Sequence, residues 1–177
     1  MTPVESHPDI SLVLGGARSG KSTFAESLAS RYSRRVYIAT AERVDDEMVR
    51  RIEAHRRQRG PGWRTLEVPL DLADAIRQES APQVCLLVDC LTVWLGNLMH
   101  HGRAIDAAQA TLLDVLAGAS GPVVLVANEV GLGIVPDNAA ARDFRDHAGR
   151  LNQAVARLAT RVYFVAAGLP AILKGTE

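Results

Sequence analysis

Gly15-Gly16-Ala17-Arg18-Ser19-Gly20-Lys21-Ser22 has the spacing G-x-x-x-x-G-K-S and joins an apolar run, Ile10-Ser11-Leu12-Val13-Leu14, to a segment of helical periodicity. Gly15 and Gly20 allow backbone conformations closed to other residues, so successive N–H groups can turn inward onto phosphate oxygens. Lys21 brings a mobile positive charge to β- and γ-phosphates, and the Ser22 hydroxyl is suited to ligate Mg²⁺. A helix beginning near Ser22 aims the positive end of its dipole at the same anion. Phe24, Ala25, Leu28 and Ala29 recur at helical spacing, so strand, loop and helix follow in the order a phosphate cradle needs. The alternative, a Gly-Ser turn with a solvated lysine, gives no reason for that order.

Outward from this stretch, short apolar runs alternate with longer amphipathic ones, the pattern of a mostly parallel sheet covered by helices on both faces. Strands are expected at Ile10–Leu14, Val36–Ala39, Leu66–Val68, Val84–Val88, Val123–Ala127 and Val162–Val165. Helices are expected at Ser22–Arg31, Asp45–Arg59, Leu72–Glu79, Leu91–His100, Ile105–Ala117 and Ala140–Thr160. No repeat or low-complexity linker divides the 177 residues, a length suited to one α/β domain. The reading is a short extension over residues 1–9 and a P-loop nucleotide-binding catalytic domain over 10–177.

The 20 basic and 20 acidic residues cancel, which speaks against a general nucleic-acid or anionic-membrane binder. Cys85 and Cys90 lie in or beside an apolar run and read as buried, reduced thiols rather than a disulfide or metal pair. Met1–Asp9 lacks an apolar signal core, and no apolar stretch is long enough to cross a bilayer. The expectation is a cytoplasmic protein.

Three further stretches carry chemistry. The fourth apolar run ends in Asp89, and a carboxylate at the carboxyl end of a buried strand faces the crevice where open α/β sheets bind ligands. Beside a P-loop it reads as an acid directed at Mg²⁺, with capping of the next helix as the competing role. In the segment 44–59, Val44, Met48, Ile52 and His55 share one helical face, and Arg50, Arg51, Arg56, Arg57 and Arg59 crowd the final turns. His55 is either a packed histidine or, neutral beside those cations, a nucleophile toward phosphorus. Asn128-Glu129-Val130-Gly131-Leu132-Gly133-Ile134-Val135-Pro136 is a shaped loop after the fifth strand, where functional loops gather. The role of Glu129, whether acid–base, substrate-binding or structural, is open.

Together these residues resemble the bifunctional adenosylcobinamide kinase and adenosylcobinamide-phosphate guanylyltransferase family of cobalamin assembly. The resemblance runs from Ile10 to Lys174. It rests on the filling of the P-loop, on Val36-Tyr37-Ile38-Ala39-Thr40, on Asp45-Asp46-Glu47-Met48 and Arg51-Ile52 before His55, and on Trp63-Arg64-Thr65 with Glu67. It continues through the Asn128–Pro136 loop, Phe144-Arg145-Asp146 and Ala148-Gly149-Arg150-Leu151-Asn152-Gln153. Asp89 stands where relatives often carry Glu, and Ala54 where they often carry a second histidine.

The resemblance implies a RecA-like P-loop domain that assembles as a homotrimer and catalyses two reactions. In one, ATP or GTP phosphorylates the aminopropanol hydroxyl of adenosylcobinamide. In the other, GTP guanylylates a histidine, pyrophosphate leaves, and GMP passes to adenosylcobinamide phosphate to give adenosyl-GDP-cobinamide. The family's histidine corresponds to His55, with Lys21 as the other catalytic group and Ser22 and Asp89 as Mg²⁺ residues. Nucleotide contacts carry over to Gly15, Gly16, Ala17, Arg18, Ser19, Gly20, Lys21 and Ser22, to Ala39, Thr40 and Ala41, to Arg56, Arg57, Gln58 and Arg59, and to Glu67 and Asp89. The competing readings are a single-activity P-loop kinase of another small alcohol, with His55 structural, and a GTP-dependent switch.

Overall fold

In the computed structural model, which describes residues 9–42 and 62–176, seven strands form one sheet. In chain order they are β1 (Ile10–Gly15), β2 (Arg34–Ala39), β3 (Trp63–Glu67), β4 (Val84–Asp89), β5 (Val123–Asn128), β6 (Arg161–Ala166) and β7 (Leu169–Lys174). The described helices are α1 (Lys21–Ala29), α2 (Leu72–Glu79), α3 (Leu91–His100), α4 (Ile105–Ala117) and α5 (Ala139–Leu158). The spatial order is β3-β2-β4-β5-β1-β6-β7. All neighbours are parallel except β6 and β7, which pair antiparallel.

Strand alternation divides the interior into two cores, one on each face of the sheet. Leu12 and Leu14 of β1, Leu86 and Val88 of β4 and Leu125 of β5 pack with Leu72, Ile76, Trp94, Leu98, Leu112, Leu116, Leu151 and Val155, so α2, α3, α4 and α5 cover that face. Val13, Leu87, Val124 and Val126 point the other way and meet Ala25, Leu28 and Ala29 of α1. The β1, β4 and β5 runs are unbroken because both faces of these strands are buried. Each fully buried Leu or Ile contributes about 1.5–3 kcal/mol relative to exposure. Trp94 is buried as well, and its Nε1–H donates to Leu70 O at 2.8 Å.

The expected α/β architecture is present, and α2, α3 and α4 have their anticipated bounds. Two strands differ. β3 spans Trp63–Glu67 instead of Leu66–Val68, because its polar residues pair with β2 from Arg35–Trp63 to Ala39–Glu67 at a half-exposed position in the sheet. β7 was not anticipated: all six of its residues are exposed, and Pro170 is tolerated because the strand is an edge. The helix expected over Asp45–Arg59 lies outside the described residues.

Candidate active site

Parallel register brings the carboxyl ends of the strands into one row. Ala39 stands between Glu67 and Asp89, and Gly15 between Asn128 and Val165. Ala39 and Val165 belong to the core under α1, so alternation sets this row on the face where α1 begins.

At Gly15 the chain leaves β1 through a space that admits no side chain: a Cβ there would lie 2.5 Å from Ser19 Oγ and 2.5 Å from Val165 O. Arg18 has φ 55°, and Gly20, at φ 92°, is the N-cap of α1. The turn after β6 braces the loop from outside, with Gly168 N donating to Ser19 O at 2.8 Å. Phe24 N donates to Gly20 O at 3.0 Å and starts the helix. Lys21 is only 9% exposed, and its Nζ donates to Gly16 O at 3.0 Å. That bond folds the lysine back across the loop and leaves further ammonium protons for an anion. Ala17 and Arg18 are exposed at the loop's crest.

Asp89 does not cap the next helix. Cys90 does, its Sγ accepting from Val93 N at 3.4 Å. Burial, and then the charge of Asp89, push the Cys90 thiol up to about 11. The Asp89 carboxylate is held from β2 instead, with Tyr37 OH donating to Oδ2 at 2.8 Å. Thr40 is fully buried: its Oγ1 donates to Cys90 O at 2.8 Å and accepts from Cys90 N at 2.8 Å. Its side chain therefore locks the ends of β2 and β4 together. Asn97 adds a second clamp, donating from Nδ2 to Thr40 O at 2.7 Å and Pro69 O at 3.0 Å. Ala41 follows at the half-buried rim, where His101 Nε2 and Glu42 Oε1 lie 2.8 Å apart.

Beyond β5, Glu129 N donates to Gly15 O at 3.1 Å, and its Oε1 accepts from Gly131 N at 2.6 Å, which gives this side chain a turn-forming bond. Arg142 Nη1 donates to Pro136 O at 2.9 Å and Asp137 O at 2.8 Å and ties down the loop's far end. Leu132, Ile134 and Val135 are exposed between these anchors.

The structure thus brings the Gly15–Ser22 loop, Ala39, Thr40, Glu67 and Asp89 to one edge. His55, Arg56, Arg57, Gln58 and Arg59 lie outside the described residues. Sequence reasoning named Tyr37 and Asn128 only within longer stretches, without a role of their own, and missed Asn97. For Asn128 a signal existed: like Asp89, it is a polar residue ending a buried apolar run.

Ser22 and Asp89 offer oxygen donors, the type that Mg²⁺ takes, and the Tyr37 bond engages Oδ2 of the Asp89 carboxylate, whose second oxygen is Oδ1. The residues fit that ion. Among the described residues, no group of three or more His, Cys, Asp or Glu side chains is arranged to hold a metal.

Residues 11–173 match the family described as cobinamide kinase / cobinamide phosphate guanyltransferase. The bifunctional adenosylcobalamin biosynthesis protein CobP of Pseudomonas aeruginosa is 50% identical over 167 residues, covering 93% of this chain and 96% of its own. The protein CobU of Escherichia coli, with the same description, is 41% identical over 178 residues, covering 92% and 98%. Among solved structures, an ATPase of a bacterial type III secretion system aligns with TM-score 0.54 at 13% identity, over 93% of this chain and 56% of that one. The RadB recombinase aligns with TM-score 0.52 at 14% identity, over 88% and 73%. These two likenesses are of fold alone. The sequence matches span almost the whole chain, and the protein belongs to the cobinamide kinase / cobinamide phosphate guanyltransferase family.

Proposed function

We propose that this chain is a bifunctional transferase of cobalamin biosynthesis, which phosphorylates adenosylcobinamide with ATP or GTP and then transfers GMP from GTP to adenosylcobinamide phosphate. The observation that carries this reading is the braced Gly15–Ser22 loop on the same row of strand ends as Asp89, in a chain matched to the family over residues 11–173. Both reactions require in-line placement and neutralised charge at phosphorus more than elaborate bond chemistry. The loop's N–H groups and Lys21 bind and orient the triphosphate. Ser22 and Asp89 would hold Mg²⁺, which would supply charge neutralisation on the phosphates. Ala39, Ala41 and Glu67 contribute to the nucleotide's seat at the strand ends, and Thr40 shapes it through Cys90.

In the second reaction His55 attacks the α-phosphorus, the bond to the bridging oxygen breaks, and pyrophosphate departs with its electron pair. A phosphate oxygen of the corrinoid then displaces His55. Arg56, Arg57, Gln58 and Arg59 hold the nucleotide, and the arginine charges keep His55 neutral and nucleophilic. We further propose a cytoplasmic homotrimer, since Leu169 and Leu173 on β7 and Leu132 and Ile134 in the loop are exposed apolar groups of the kind a subunit contact covers.

The test is GTP labelled at the α-phosphate, with Mg²⁺ and no corrinoid, followed by denaturation. Acid-labile label on the wild type and none on His55→Ala is expected. No label on folded, GTP-binding wild type leaves a single-activity P-loop kinase or a switch as the better reading.

A further inference from the structure

Asn128 holds a buried side-chain oxygen that no group among the described residues bonds. Its Oδ1 is shielded from solvent and has no hydrogen-bond partner among the described residues, whereas its backbone is held on two sides. The N–H donates to Thr92 Oγ1 at 2.7 Å, and the carbonyl accepts from Asn152 Nδ2 at 3.3 Å. Two helices, α3 and α5, thus fix the position of a residue whose own amide oxygen is left unused. Such atoms are rare in native interiors and ask for a reason.

Its location supplies one. Asn128 is the register partner of Gly15, and the next residue donates from its N–H to Gly15 O at 3.1 Å. Val124 and Val126 belong to the core under α1, so alternation puts the Asn128 side chain on the face that bears Asp89 and the start of the loop. Over Gly15 itself lies Ser19 Oγ, a second buried polar atom without a partner among the described residues. An amide oxygen only accepts hydrogen bonds, and phosphate oxygens at neutral pH also accept, so it does not serve the phosphates themselves. What it lacks is a donor arriving beside them. In a kinase, the group that arrives beside the γ-phosphate carrying a proton is the acceptor's hydroxyl.

We propose that Asn128 Oδ1 accepts the hydrogen bond of the corrinoid substrate's hydroxyl and turns that oxygen toward the γ-phosphorus. The proposal rests on the kinase reading above. The new bond joins the hydroxyl oxygen to the γ-phosphorus. The bond from the γ-phosphorus to the β,γ-bridging oxygen breaks, and its electron pair leaves with the nucleoside diphosphate. The hydroxyl proton, which a neutral amide is too weak a base to keep, passes to a phosphoryl oxygen of the product. In guanylyl transfer the corrinoid attacks with a phosphate oxygen and has no hydroxyl proton to present there. Asn128 is therefore specific to the phosphorylation half-reaction.

The experiment compares Asn128→Ala and Asn128→Ser with wild type in cobinamide phosphorylation, in guanylyl transfer to cobinamide phosphate, and in GTP binding, after thermal melts establish folding. The Asn128 side chain makes no bond that the fold depends on, so both variants are expected to fold. For Asn128→Ala, kcat of phosphorylation falls by about 100-fold, with KM for GTP and the guanylyl-transfer rate held within about twofold. Asn128→Ser, which restores an acceptor oxygen, recovers part of the loss. Equal losses in both reactions, unchanged phosphorylation, or a raised Mg²⁺ requirement in both reactions overturn the proposal. A wild type that transfers GMP but phosphorylates no cobinamide overturns the kinase reading itself.

Discussion

Tyr37 on β2 donates its hydroxyl to Asp89 Oδ2 on β4 at 2.8 Å, and so orients the carboxylate at the centre of the carboxyl edge. Groups that hydrogen-bond a metal-directed carboxylate set its orientation, and their loss costs about 10–100-fold in metal affinity. Tyr37→Phe is expected to raise the Mg²⁺ concentration for half-maximal kinase activity about tenfold. A Mg²⁺ titration at saturating GTP checks this, and an unmoved midpoint counts against a metal role for Asp89.

Adjacent glycines in the loop are not equivalent. At Gly15 an added methyl meets the backbone oxygen of Val165, which cannot swing away, whereas at Gly16 nothing lies within 4 Å. Gly15→Ala should therefore weaken GTP binding by more than about tenfold, while Gly16→Ala stays within about twofold, as expected when overpacking costs 1–3 kcal/mol. Fluorescent-nucleotide titration of both variants decides it, and equal affinities would remove the steric argument.

Lys21 lies folded on Gly16 O with its charge largely buried, ready to exchange that carbonyl for phosphate. Lys21→Ala is expected to lower kcat/KM of both reactions by roughly 100-fold or more, the scale for losing one fixed donor at developing charge. Initial rates with each corrinoid substrate measure it; normal rates in both would remove the loop from the chemistry.

Much of this architecture is legible in the sequence because β1, β4, β5 and β6 lie inside the sheet, and burial on both faces writes itself as consecutive apolar residues. The outer strands leave no such trace. β3 carries Arg64 and Glu67 on exposed positions, and β7 is exposed along its whole length. The loop is readable because its residues are contiguous. The Tyr37–Asp89 bond, the Thr40–Cys90 clamp and the orphaned Asn128 join positions that only parallel register makes neighbours.

Thr40 makes two hydrogen bonds to the backbone of Cys90 inside a buried interface. Thr40→Val keeps the shape and strands the buried N–H of Cys90, whose carbonyl still accepts from Trp94 N at 3.1 Å, a change expected to cost about 1–3 kcal/mol. Urea unfolding provides the measurement, and a midpoint equal to that of wild type would show the clamp to be dispensable.

At the opposite edge of the sheet, Tyr32 OH donates to Asp9 Oδ2 at 2.9 Å. Burial, then that bond and the Asp9 charge, raise the Tyr32 phenol from 10.0 to about 12. Burial, followed by the Asp9 charge, raises the Cys85 thiol from 9.0 to about 12. Both groups hold their protons more tightly in the folded state, so their contribution is fully present below pH 9 and is lost as the pH rises toward 12. Removing the phenol with Tyr32→Phe is expected to flatten the fall of Tm above pH 10. Thermal melts across the alkaline range test this, and parallel curves for the two proteins would refute it.

β1 is encoded near the start of the chain, yet it lies between β5 and β6, whose residues come from its last third. Gly15 acquires its neighbours Asn128 and Val165, and Ser19 its brace from Gly168, only after those segments have left the ribosome. Contacts so distant along the chain form late and slowly. A nascent chain that stops before β6 can pair Gly15 with β5 but lacks Val165 and the Gly168 brace on Ser19, so the loop takes its full shape only once β6 and the turn after it have been made.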